Sequence, residues 1–155
     1  MGVGAQRKAH KESQEEKVNG WLLDTHVWLW IMRAAHDRVS ARFFDDAEHW
    51  QRNGTVYLSP ITCWELGLLV SAKQIELGRS IEALWERDTN PGSFGIAGLT
   101  ARILIESTRL PGDLHRDPAD RILAATARVS DLTLVTRDKK LLDYAKQGHL
   151  KARKP

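Results

Sequence analysis

A chain of 155 residues, 42% hydrophobic and 28% charged, is long enough to bury one sizeable core and reads as a single soluble globular domain. Its only cysteine, Cys63, excludes an intramolecular disulfide framework and makes a reducing, cytoplasmic setting the default, and no apolar run approaches the ~18 residues of a membrane span. The formal net charge of +3 is concentrated in the tail, where Lys146, Lys151, Arg153 and Lys154 occur without an acid, leaving a near-neutral body of 19 basic and 20 acidic residues; such a tail is as readily a solvated end as a contact for a polyanion.

Residues 1–20, "MGVGAQRKAHKESQEEKVNG", lack apolar periodicity and mix both charges with Gly and Ser. They are expected to form a disordered extension, with the folded domain covering 21–155. Trp21–Leu23 reads as a short strand, followed by a helix over about 25–35. Ser40 suits the N-cap of a helix running to Arg52, which Asn53-Gly54 ends. "TVYLS" (55–59) has strand composition, and "PITCWELGLLVSAKQ" opens with a proline fit for a first helical turn. A helix over 80–87, a strand around 94–97 and a helix over 100–108 come next. "DPADRILAATARVSD" reads as a helix, "LTLVT" (132–136) as a strand, and "RDKKLLDYAKQG" as a last helix closed by Gly148. Strands recurring between helices imply an α/β fold with a parallel sheet and helices on both faces.

In such sheets functional groups gather beyond the carboxyl ends of the strands. Asp24 follows the first strand, and Glu65 lies one helical turn past the second. Asp117 and Asp120 open the helix of "HRDPADRILAATA", and Asp138 follows "LTLVTR". Each acid has a plainer account. Asp24 and Asp138 can cap the helices behind them, Asp117-Pro118-Ala119-Asp120 suits a helix start, and Glu65 can be solvated.

Together the plainer accounts explain less. A cap needs one acid per helix, and Ser, Thr or Asn would serve as well. Glu65 sits among Trp64, Leu66, Leu68 and Leu69, which suggest burial, where a lone carboxylate is costly. Clustered carboxylates repel unless neutralised, and hard divalent cations take oxygen ligands of this kind. Mg²⁺ or Mn²⁺ held by several acids suits phosphodiester chemistry: it activates water, orients the phosphate and stabilises the leaving oxygen.

Other chemistries fit poorly. No glycine-rich phosphate loop stands between a strand and a helix, and the six histidines form no HExxH. His26 and His115 flank acids and read as structural or as supports for the acids. Cys63 reads as a core thiol. The six tryptophans suit core or interface more than base stacking. Trp28 and Trp30 cannot share one helix face, so one of them is expected to meet a partner subunit.

"LLDTHVWLW", "SPITCWELGLLVSAKQIEL", "HRDPADRILAATA" and "LTLVTRDKKLLDY" together resemble, in order and spacing, the PIN-domain proteins, and among them the VapC-like toxins of bacterial toxin–antitoxin pairs. The resemblance spans about residues 21–148. It implies a three-layer α/β/α sandwich with a mainly parallel central sheet of four to five strands, and an Mg²⁺- or Mn²⁺-dependent endoribonuclease. The family's four acids map to Asp24, Glu65, Asp120 and Asp138, which it makes both catalytic and metal-holding. Asp117 begins a "DPxD" variant and is read as an N-cap rather than an extra ligand. Thr25 and Thr136 match family hydroxyls that orient carboxylates or water. The implied partners are RNA, a small antitoxin protein and a second copy of the chain, with no membrane.

Hydrolysis on this scheme leaves a 5′-phosphate and a 3′-hydroxyl, and Arg116, Arg121 and Arg137 are candidates for contacting phosphate. Two rivals stand beside it. One is a PIN-like module that binds or scaffolds RNA without cutting it. The other is a phosphatase of the haloacid-dehalogenase type, whose DxDx[TV] pattern fails here at His26.

Overall fold

The computed structural model describes residues 20–91 and 93–155. The extension expected over 1–20 therefore lies outside the described residues, apart from Gly20. That glycine belongs to the fold: it is buried, and its carbonyl accepts a hydrogen bond from Thr133 N–H at 2.9 Å. A side chain there would run into Leu132.

Among the described residues the chain runs β1 (Trp21–Leu23), α1 (Thr25–Met32), α2 (Ala41–Arg52), β2 (Val56–Leu58), α3 (Ile61–Ser71), α4 (Ile81–Thr89), β3 (Gly95–Ile96), α5 (Ala101–Thr108), α6 (Pro118–Val129), β4 (Thr133–Val135), α7 (Lys139–Lys146) and β5 (Ala152–Arg153). The strands form one sheet in the order β3-β2-β1-β4-β5, and every pairing is parallel. Alternation along the strands builds a core on each face. Leu22 and Leu134 point to one side, where Leu123, Leu141 and Tyr144 cover them. Leu23, Val56, Leu58 and Val135 point to the other, against Val27, Trp28, Phe43 and Leu66. This is the expected three-layer arrangement.

Helix starts follow their caps. Ser40, Ser80 and Thr100 accept hydrogen bonds from the backbone three residues on. Helix ends are set by left-handed residues that local pattern marks poorly. The first helix stops at Met32, short of the expected 35, because Ala34 turns left-handed (φ 47) and donates to the Ile31 carbonyl while Ala35 donates to Trp30. Lys73 (φ 55) closes α3 in the same way, with Lys73 bonding Val70 and Gln74 bonding Leu69.

The basic tail is anchored to the sheet at Arg153, while Lys146, Lys151 and Lys154 stay exposed. Ala152–Arg153 adds the edge strand beside β4. The rings of Trp21 and Trp50 stack at 4.2 Å, and the Arg153 guanidinium lies over both, 5.3 and 5.1 Å from their centroids. Asp46 Oδ2 accepts from its other end at 3.2 Å.

Candidate active site

Sheet order fixes where a site can form. The chain leaves the central strand β1 toward β2 and β3, then returns on the opposite side as β4 and β5. A crevice opens beyond the carboxyl ends of the strands at such a reversal. Asp24, the residue after β1, extends the β1–β4 pairing by donating its N–H to the Val135 carbonyl at 3.0 Å. Its carbonyl accepts from Trp28 N–H, which starts α1. The side chain makes no capping bond, so the capping account of this acid does not hold. Instead the carboxylate turns inward, 7% exposed, and accepts a 2.6 Å hydrogen bond from Thr136 Oγ1.

Thr136 serves two acids. While its hydroxyl donates to Asp24, its oxygen accepts from Asp138 N–H at 3.0 Å. Asp138 also caps α7 through Leu141 N–H, so for this acid the capping account is true as well. Thr25, fully buried at the start of α1, donates to Glu65 Oε1 at 2.8 Å. Asp117 caps α6 by accepting from Asp120 N–H at 3.0 Å. Asp24, Glu65, Asp117, Asp120 and Asp138 thus come together around one cleft of about 280 Å³, with His26, Trp30 and Arg137 on its walls.

Proximity and burial push the carboxyls upward. Burial raises Asp24, with the Thr136 hydroxyl pulling partly the other way. Glu65 is pushed up to about 7, mainly by burial, with Asp24 and Asp117 adding to it against the Thr25 hydrogen bond. Asp120 rises to about 8 through burial and then the charges of Asp24, Asp117, Asp138 and Glu65. The native chain therefore holds protons that the unfolded chain releases. Their stabilisation is fully present below about pH 4 and is lost as pH rises through 7 to 8. In EDTA, melting temperature is expected to fall from pH 5 to 8.5. Asp120→Asn should flatten that profile and melt above the parent chain at pH 8.5. A parent profile that does not fall would mean the carboxyls are not crowded.

His115 stands against the acids, as a support would. His115 Nδ1 accepts from Asp117 N–H at 3.3 Å, which leaves Nε2 as the protonated nitrogen of the neutral ring. That Nε2 is buried, 3.1 Å from Asp120 Oδ2, yet not aligned to hydrogen-bond with it. One donor atom each from His115, Asp120 and Asp138 lie within 4.8 Å of one another. A nitrogen that carries its proton cannot ligate a metal, so in this tautomer His115 stands beside the carboxylates rather than among the ligands. The crowded carboxylate oxygens of Asp24, Asp120 and Asp138 are the hard donors that a divalent metal takes.

Other expectations change. Trp28 is wholly buried and donates Nε1 to Asp88 Oδ2 at 2.8 Å. Trp30 lies under the Arg137 guanidinium, 5.6 Å from its ring centre, at the cleft wall. Trp28 is therefore not the one that could meet a partner subunit, while Trp30 keeps part of its surface exposed at the cleft wall. Arg121 is no phosphate contact: its guanidinium clamps the carbonyls of Ser107 and Leu114, both at 2.8 Å. Arg116 is exposed outside the cleft, whereas Arg137 lines it. Along α3, Leu66 is buried as expected, but Trp64 and Leu68 face solvent, about half exposed.

A family model described as "PIN domain" matches residues 21–147, a span that includes the four strand-end acids. The chain belongs to the PIN domain family. Ribonuclease VapC22 of Mycobacterium tuberculosis is 30% identical to this PIN domain over 123 residues, 79% of this chain and 90% of that protein. In VapBC2 from Rickettsia felis, solved bound to a DNA fragment from its promoter, a chain matches with TM-score 0.62 and 18% identity, covering 87% of this chain and 98% of that one. A toxin–antitoxin complex from Klebsiella pneumoniae matches at 26% identity and TM-score 0.51, over 81% and 91%. No helix among the described residues is long and apolar enough to cross a membrane.

Thr136 offers a way to probe this PIN domain's site without touching an acid. In Thr136→Val the shape stays, but Asp24 loses its donor and Asp138 N–H its acceptor. Supports of this kind typically cost about 10–100-fold in metal affinity or activity. Mn²⁺ titration calorimetry is expected to show that loss; unchanged affinity would mean the hydroxyl does not orient the acids.

Proposed function

We propose that this PIN domain is a metal-dependent endoribonuclease, the toxin of a toxin–antitoxin pair. The observation that carries the reading is the convergence of Asp24, Glu65, Asp120 and Asp138 on one cleft beyond β1 and β4. The likeness to Ribonuclease VapC22 supports RNA as the substrate. Asp24, Asp120 and Asp138 would hold Mg²⁺ or Mn²⁺, with Glu65 as a further ligand or a guide for water. The cation supplies charge neutralisation at the phosphate and a more acidic water.

The chain's own residues do the rest. Thr136 fixes Asp24 and the Asp138 backbone, and Thr25 fixes Glu65. Glu65, held by the Thr25 hydroxyl at the cleft, is placed to orient the attacking water. Arg137 at the cleft wall can meet a phosphate oxygen. In-line displacement of the 3′-oxygen then leaves a 5′-phosphate and a 3′-hydroxyl.

The partner reading rests on chemistry as well as likeness. The metal-free cleft is acidic and suits an inhibitor that brings Arg or Lys. On α3 the half-exposed Trp64 and Leu68 stand one turn apart, an apolar face suited to a second copy of the chain. A small antitoxin with a basic residue near its C-terminus, a homodimer and a reducing, cytoplasmic setting complete the proposal.

End-labelled RNA incubated with the purified protein tests it. Cleavage is expected with Mn²⁺, none with EDTA, and the products should ligate through their 5′-phosphates. Products ending in 2′,3′-cyclic phosphate, or cutting undiminished in EDTA, would overturn the metal scheme.

A further inference from the structure

A second, larger concavity of about 870 Å³ lies between α7 and β5. Arg137, Lys139, Lys146, Lys151, Arg153 and Lys154 line it, against a single acid, Asp143. Arg137 belongs to both this groove and the acid cleft. Because β5 runs parallel to β4 and α7 returns from the carboxyl end of β4, the groove has a direction. Lys139 and Lys154 stand at the cleft end, Lys146 and Lys151 at the far end, separated by the roughly 12 Å length of an eight-residue helix.

Arg153 is held by Trp21, Trp50 and Asp46, and Arg137 by Trp30 and the Arg38 carbonyl, but the groove's lysines are held loosely. Lys146 meets Asp143 at 3.6 Å and Lys151 meets Asp131 at 2.6 Å, with both lysine side chains more than half exposed. Exposed pairs of this kind contribute little and can be exchanged for phosphate. At the junction with the cleft, Arg137 lies over the partly buried ring of Trp30, which holds its guanidinium where the two concavities meet.

We propose that the α7–β5 groove holds the phosphate backbone of the single-stranded RNA that flanks the scissile bond. This rests on the nuclease reading and extends it by giving the strand a path. An RNA with its scissile phosphate in the cleft must leave by some wall, and the wall at Arg137 opens into a basic channel. An acidic protein segment would share the charge but gains nothing from continuity with a phosphodiester-cutting cleft.

The test reads binding apart from cleavage. In an Asp24→Asn background with EDTA, anisotropy of a labelled 15-nucleotide RNA is measured over a range of salt. Lys146→Gln/Lys151→Gln/Lys154→Gln is expected to raise Kd about tenfold. It should also reduce the slope of log Kd against log salt by about 2, since each single-strand phosphate contact contributes ~0.7. Lys73→Gln/Arg79→Gln/Arg102→Gln, which removes the same charge from exposed positions outside the groove, should move Kd less than twofold. Poly-glutamate of matched charge should compete weakly. Equal losses in the two triple variants, no loss in the first, or poly-glutamate displacing RNA as well as RNA itself would each overturn the groove. Mn²⁺-dependent cleavage by the parent chain, assayed beside it, keeps that failure distinct from failure of the nuclease reading.

Discussion

Asp24→Asn is expected to lower RNA cleavage about a thousandfold, or about 4 kcal/mol in barrier, while the chain stays folded. The amide keeps the shape of a side chain only 7% exposed, and its oxygen can still accept from Thr136. What disappears is a negative charge in a buried position, where a cation is held most strongly. Removing it also relieves the repulsion felt by Asp120, so the metal-free variant should melt no lower than the parent. Asp117→Asn is the informative contrast. Asn caps helices as well as Asp, so the α6 start survives, and cleavage should fall less than tenfold. Single-turnover assays with Mn²⁺ compare the two. Equal losses would show that total negative charge, not the placement of Asp24, governs the reaction.

Trp28→Ala is expected to cost about 3–5 kcal/mol of stability, the usual range for emptying a large aromatic site. The indole has no exposed surface, meets Trp85 edge-on at 6.2 Å and donates to Asp88 across 60 residues. Asp88 is not stranded by its loss, because Arg87 still holds both carboxylate oxygens. The cost is therefore mostly cavity and lost packing, and Trp28→Phe should recover more than half of it. Urea denaturation followed by circular dichroism gives the values. A loss below about 1 kcal/mol would mean that α1 and α4 reclose around the gap.

The acids were legible because each stands where a strand ends or a helix starts, positions that local pattern marks well. The parallel sheet was legible from strands alternating with helices. What escaped the sequence is long-range. A two-residue strand such as Ala152–Arg153 has no alternation to read, and its identity comes from the open edge of β4. Trp28 and Trp30 looked incompatible because their partners, Asp88 and Arg137, lie far along the chain. Arg121 looked like a surface cation near an active site, yet it bonds two carbonyls of the preceding helix and loop. His115 meets Asp120 only because the Asp117 cap folds the loop back over α6.

A ribosome delivers Asp24 early and Thr136, the hydroxyl that holds it, 112 residues later. The middle strand of the sheet cannot be flanked on both sides until β4 exists, and closing a loop of that span comes late in folding. For a nuclease this order of synthesis is protective. A half-made chain, still threaded on its own message, has no assembled set of acids to turn against the RNA around it.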